Sequence, residues 1–462
     1  MMKKLPLYLT GMLLMLYSVC AYSQGPKEGS LSYLWELMGD KYPMLTEKQA
    51  RIEEFEYRKK ELKTAALPQV QLQLQNSFGT FAGTNGAFFP IPGVFNVNGN
   101  VEKKPGASGN TMNTFGSVLL DWKISQFGKQ QKMVEAAGFE VREAQSNYEA
   151  SLLSLRAKMT RTYLNVLYAQ SGLSWADKNV SRVKEIFDLS SSLAEAGLKP
   201  GADTALAAAA YLQAMSLQEE WKGKYAEGQD NLKEFVPGLS GMPILALEIY
   251  RNIRLPDQSL DSVSASHPFL QVLDQRFKYQ QSQKKVLARK QLPSIALLAG
   301  LSARGTGISR DGRVHQDFAS GFDNSSRNYL IGLGLSWNLT GLYTGSLEKK
   351  RAQKQVDVVQ SQYQLQKLQM NTALQAISSR IAAQVKQVAK TKTALKKTLN
   401  AYDLYLSRYE AGLINLTELL QIQALLQQVE NSDLELCQEL WNQLNTKAEL
   451  SGDYSYLFNN LK

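Results

Sequence analysis

Side chains able to do covalent or metal chemistry are few in this sequence. Two histidines, His267 and His315, and two cysteines, Cys20 and Cys437, are scattered along 462 residues. No Cys or His cluster has metal-ligand spacing, no phosphate-cradling loop occurs, and no serine sits in a nucleophile elbow. The sequence therefore points away from an enzyme and calls for no cofactor or metal. What does recur is a pair of glycine-centred segments, Glu195-Ala196-Gly197-Leu198 and Glu410-Ala411-Gly412-Leu413. Gly197 and Gly412 can supply the left-handed backbone that ends a long helix and reverses it. Asp203 follows the first glycine, and Thr417 and Glu418 follow the second, near the start of a returning helix. Their oxygens suit the exposed N–H groups there. Helix capping alone accounts for Asp203 and Glu418; a task at a gate is the other reading.

The two segments belong to a longer repeat. Pro43 and Pro68 bracket one helical stretch and Pro268 and Pro293 another, and each pair is 25 residues apart. Trp122 lies 75 residues before Gly197, and Trp337 lies 75 before Gly412. Two independent matched spacings imply tandem copies of one unit, residues 24–240 and 241–462. Each reads helix, strand, loop, strand, long helix, turn, helix.

Strands are expected at about 69–80 and 113–122, and at about 294–304 and 328–337. Gln69, Gln71, Gln73 and Gln75 alternate with Val70, Leu72 and Leu74, while Tyr329, Ile331, Leu333, Leu335 and Trp337 alternate with small or mixed residues. Period two with one apolar face fits a membrane barrel, lipid outside and water within. A soluble sandwich would want more strands than the flanking sequence offers. Tyr329, Trp122 and Trp337 are placed as the barrel's aromatic residues. Between strands, about 80–112 and 304–327, run long loops rich in Gly, Asn and Ser, of the kind found outside membrane barrels. The first holds an apolar island, Phe88-Phe89-Pro90-Ile91-Pro92, read as packing on itself.

Long helices are expected at about 128–196 and 345–411, each free of proline and roughly 100 Å long at 1.5 Å per residue. Return helices are expected at about 203–235 and 417–450. Heptad-spaced apolar residues mark a seam: Leu152, Met159, Val166, Leu173, Val180 and Phe187 in one, and Leu374, Ile381, Val388, Leu395, Tyr402 and Tyr409 in the other.

The chain's start reads as an export signal, residues 1–23. Lys3 and Lys4 precede an apolar run from Leu5 to Val19, and Ala21-Tyr22-Ser23 suits cleavage before Gln24. Acylation of Cys20 is the rival, disfavoured by Val19 where a lipobox wants a small residue. No later window has the roughly 18 consecutive apolar residues of a membrane helix. The 52 basic against 42 acidic residues are spread along Glu- and Gln-bearing helices, without a nucleic-acid-binding pattern.

Four strands cannot close a barrel, and an open edge in lipid is prohibitive, so symmetric association is implied. At this point the sequence resembles the TolC-like outer-membrane efflux proteins over essentially the whole mature chain. The most specific match is Tyr409-Glu410-Ala411-Gly412-Leu413-Ile414-Asn415-Leu416-Thr417-Glu418-Leu419-Leu420. The resemblance implies a homotrimer with a 12-stranded barrel in the outer membrane and a helical periplasmic tunnel. Its tip would meet a periplasmic adaptor protein and an inner-membrane pump of the RND or ABC kind. It also implies a latch between Tyr409 and Asp203, and a constriction at Glu418 and Gln421, of which only Glu418 is acidic. The arginine of the family's latch is replaced by Ile414. A periplasmic coiled-coil adaptor without a barrel is the alternative reading.

Overall fold

The computed structural model describes residues 30–39, 42–80, 110–237, 250, 253 and 262–461. The expected signal peptide, Cys20 and the Phe88–Pro92 island lie outside the described residues. The elements run α1 (Leu31–Met38), α2 (Pro43–Thr64), β1 (Gln69–Thr80), β2 (Asn110–Ser125), α3 (Lys129–Glu195) and α4 (Gly201–Lys233). They continue as α5 (Pro268–Lys290), β3 (Ser294–Thr306), β4 (Ser326–Ser336), α6 (Gly341–Glu410), α7 (Leu416–Ser451) and α8 (Ser455–Asn460). The fold is mainly helical with one small antiparallel sheet, built twice over in tandem.

The chain divides into two compact units, one of residues 48–147 and 271–364, the other of residues 1–47, 148–270 and 365–462. The first unit holds the sheet, whose order is β1-β2-β3-β4 with every neighbour antiparallel. Each copy contributes one strand pair, and the β2–β3 pairing joins the copies in a single sheet. Pro68 and Pro293 immediately precede β1 and β3, as befits a residue that cannot donate to a ladder. Helical segments of this unit are tied by Arg58–Glu140 at 3.2 Å, Arg276–Glu143 at 2.7 Å and Lys290–Glu348 at 3.2 Å. These pairs are partly exposed and add little stability each.

The stretch expected as an irregular loop at 304–327 is more ordered than its composition suggests. β3 runs on to Thr306, Ile308 and Val314 form a β-bridge, and Phe318–Phe322 make a 3-10 turn. Asp317 caps that turn by accepting from the Ser320 N–H at 3.0 Å. Side-chain capping thus replaces the apolar pattern that a sequence reading looks for.

The second unit packs helices. In α6 the expected seam holds at Leu374, Ile381, Val388, Tyr402 and Tyr409, all buried, while Leu395 is half-buried. In α3 it drifts. Met159 and Val166 are buried, but below them the buried row passes through Ala176, Asn179, Val183, Ile186 and Ser190, leaving Val180 and Phe187 half-buried. Two polar residues in the row conceal it from an apolar count. Asn179 is accommodated because its Oδ1 accepts from the Gln423 Nε2 at 2.7 Å inside the core. Farther along, Glu430 receives both Arg182 and the Trp175 indole N–H, the latter at 2.7 Å. Both partners of this ion pair are largely buried. Trp175 and Trp221 form a cluster with Ala176 and Leu434, and Trp221 lies directly over Gly172.

Candidate functional site

Two surfaces carry the functional reading, the sheet face in the first unit and the helix turns in the second.

On the sheet, cross-strand register sorts the side chains into two faces. One row aligns Leu72, Val118, Leu301 and Tyr329, and others align Val70, Leu120, Ala299 and Ile331, or Trp122, Leu297 and Leu333. The opposite face aligns Gln73, Ser117, Ser302 and Asn328. The apolar face is bare: Leu72 is 69% exposed, Leu333 73% and Tyr329 79%. A soluble sheet would bury such a face, and monomeric soluble proteins seldom leave so large an apolar patch uncovered. β1 and β4 are the sheet's two edges.

Trp122 and Trp337 stand where the strands end nearest the helices. The Trp122 indole donates to the Ala66 carbonyl at 3.0 Å, and the Trp337 indole to the Gln291 carbonyl at 3.1 Å. Ala66 and Gln291 each lie two residues before a proline, Pro68 and Pro293. The indoles thus satisfy carbonyls that the ended helices α2 and α5 leave free.

The helix turns are built alike in both copies. Gly197 and Gly412 have φ of 75° and 73°. Leu198 N–H returns to the Leu193 carbonyl and Gly197 N–H to Ala194, both at 2.9 Å. Leu413 to Arg408 and Gly412 to Tyr409 repeat the pattern at 2.9 Å. This is the Schellman closure, which needs the left-handed glycine. The returns differ. α7 begins at Leu416, capped by Asn415, whose Oδ1 accepts from the Glu418 N–H at 2.9 Å, so Asn415 rather than Thr417 is the cap. α4 begins at Gly201, with Pro200 at the N-cap and no side-chain bond, and Asp203 lies in its first turn.

Tyr409 is fully buried, in a cluster with Ile186, Ala207, Ile414 and Leu416. Its hydroxyl has no hydrogen-bond partner. The Tyr409–Asp203 hydrogen bond expected from the resemblance is therefore not made in the protomer. The phenol is held instead by packing and by Lys199, whose ammonium stands 5.5 Å from the ring centroid. Lys199 Nζ also reaches the Ile414 carbonyl at 3.4 Å. The first copy's turn thereby grips the second copy's turn through one cation. Reading for carboxylates missed Lys199; its place two residues after Gly197, opposite a tyrosine before Gly412, was the available signal. Glu418 and Gln421 are both exposed on the first turns of α7.

Elsewhere in this unit His267 caps α5. Its Nδ1 accepts from the Phe269 N–H at 3.3 Å, and its Nε2 lies 2.9 Å from the Glu449 carbonyl. That geometry requires the proton on Nε2, and burial pulls its pKa below the usual histidine range. Among the described residues no group of His, Cys, Asp and Glu could hold a metal ion, and no helix is long and apolar enough to cross a membrane.

Comparison with solved structures places this architecture. The Campylobacter jejuni CmeC outer membrane channel aligns with a TM-score of 0.70 and 16% identity, over 91% of this chain and 85% of that one. The outer membrane protein VceC from Vibrio cholerae gives 0.69 and 14%, over 92% and 97%. The open state of the Neisseria gonorrhoeae MtrE outer membrane channel gives 0.65 and 15%, over 92% and 89%. No curated protein matches the chain in sequence. At these identities the structures establish a shared fold. The profile of the outer membrane efflux protein family matches residues 40–236 and 260–452, one stretch for each tandem copy. With both copies covered, and with the fold of known channels beneath them, the chain belongs to the outer membrane efflux protein family of TolC-like channels.

Proposed function

We propose that the protein is the outer-membrane exit duct of a tripartite efflux or type I secretion system. Three copies close one barrel of 12 strands, four from each, and the helical parts form a tunnel through the periplasm. The helix turns meet a periplasmic adaptor protein and, through it, an inner-membrane pump of the RND or ABC kind. The observation that carries this reading is the uncovered apolar sheet face flanked by the two edges β1 and β4. Lipid covers the face, and β4 of one protomer pairs with β1 of the next.

At the tip, the turns around Gly197 and Gly412 form the gate. Lys199 and Tyr409 hold the two copies together there, Asp203 and Gln421 border the opening, and Glu418 supplies an acidic ring that draws cations. Opening is a population shift that contacts from adaptor and pump would bias.

The test is the assembly state. Protein extracted from membranes should need detergent and show a trimer in native mass spectrometry. Leu333→Arg, on the apolar face, should lower barrel stability by about 2–4 kcal/mol if the residue sits near the bilayer midplane. A water-soluble monomer insensitive to that substitution would rule the reading out.

A further inference from the structure

The apolar sheet face contains a gap. Leu74, Gly116, Ala303 and Arg327 share one cross-strand row, so its centre carries only a hydrogen, over which Leu74 leans, and a methyl group. The result is an open groove of about 410 Å³ within one protomer's sheet. Leu72, Leu74, Val118 and Leu301 wall it, and Tyr329 and Arg327 close one end.

Arg327 is the only charged residue at the paired positions of this face. It is exposed and makes no salt bridge among the described residues. One row farther toward the strand-connecting loops a polar pair interrupts the face, Asn76 Nδ2 donating to Thr114 Oγ1 at 2.8 Å, before Phe78 and Met112 resume it. The groove therefore sits beside a polar break in the apolar band, toward its loop side, next to the aromatic Tyr329. An unpaired cation there is a costly thing to leave facing hydrocarbon, and a long arginine side chain resolves it by reaching an anionic headgroup.

We propose that this groove binds a phosphorylated glycolipid of the outer leaflet, with an acyl chain laid over Ala303 alongside Leu74 and a phosphate on the Arg327 guanidinium. The proposal rests on the reading of the apolar face as lipid-facing with its loops outside. Guanidinium is suited to the phosphate because it can donate two parallel hydrogen bonds, whereas lysine offers a point charge. The volume lies within the range of ordinary small-ligand sites.

Native mass spectrometry of the delipidated trimer in mild detergent, titrated with diphosphorylated lipid A, tests this. We expect saturation at one lipid per protomer, with binding about ten-fold weaker in Arg327→Gln and only partly weakened in Arg327→Lys. Ala303→Phe, which fills the gap, should weaken it similarly while the same spectra report an intact trimer. Dephosphorylated lipid A should bind wild-type protein as poorly as lipid A binds Arg327→Gln. Unchanged lipid A binding in Arg327→Gln would overturn the proposal, as would equal binding of phosphatidylglycerol and lipid A to the wild type. Either result in a detergent-held trimer removes this proposal alone. A water-soluble monomer removes the barrel reading and this one with it.

Discussion

The indole N–H of Trp337 meets the Gln291 carbonyl at 3.1 Å, joining the end of β4 to the residue that follows α5. Trp122 does the same to Ala66 in the other copy. Each bond locks a helix end to a strand end, and each falls where the sheet hands over to helices. Trp337→Phe keeps most of the apolar surface and deletes the donor, leaving one carbonyl to water. The expected cost is about 0.5–1.5 kcal/mol per protomer. Thermal melting of the detergent-solubilised protein would show it, and a melting point equal to wild type would deny the bond a structural role.

Tyr409→Phe should leave the tip nearly unchanged, because its buried hydroxyl makes no bond to lose. Lys199→Met should loosen it, removing a cation–π contact and a reach to the Ile414 carbonyl worth together about 1 kcal/mol, or roughly five-fold in the open fraction per protomer. Planar-bilayer recordings distinguish them: higher conductance in Lys199→Met and wild-type conductance in Tyr409→Phe. The reverse result would return the latch to the tyrosine hydroxyl.

Gly172→Ala places a new Cβ 2.1 Å from two carbons of the Trp221 ring. Trp221 has little room to retreat, since Tyr168 and Trp175 rings stand 5.2 and 6.2 Å from it. Overpacking of this kind costs about 1–3 kcal/mol. Circular-dichroism melting should register the loss, and a stability equal to wild type would mean the ring is not seated on this glycine.

His267 makes stability depend on mild acidity. Burial lowers its folded-state pKa, so below the ordinary value of 6.5 the unfolded chain takes up the proton more readily. Its contribution is whole above that pH and is lost as pH falls through the lowered folded-state value. Protonation would also oppose the Phe269 N–H that points at Nδ1. Glu449, raised by burial, acts with the opposite sign, so the informative quantity is the difference between wild type and His267→Asn, which keeps a capping oxygen. The drop in melting temperature between pH 7.5 and 5.5 should be smaller in the variant; parallel profiles would exclude His267 as the titrating group.

Much of this was legible in the chain because it depends on backbone needs that leave marks in residue type. Glycines ending helices, prolines ahead of strands and period-two alternation identified the turns and the sheet. Asn179 and Gln423 were not legible, since a polar side chain in a helical seam looks like surface until its partner is known, and Ser190 is buried in the same row without a hydrogen bond. Lys199 was missed for a related reason: its partners lie more than 200 residues away. The Phe318–Phe322 turn was hidden by loop composition, because its order comes from the Asp317 cap rather than from an apolar pattern.

The β2–β3 pairing has a consequence for how the barrel comes together. In the proposed ring of three, six seams separate the six hairpins. Three of them are β2–β3 joints inside a chain, and three are β4–β1 joints between chains. A single-copy hairpin protein would have to collect six molecules and form all six seams by collision. Tandem duplication makes half of the seams unimolecular, so ring closure becomes a third-order rather than a sixth-order encounter. At the low abundance of a nascent membrane protein, that difference in concentration dependence favours the duplicated chain, because loop closure within one molecule costs far less than gathering separate ones.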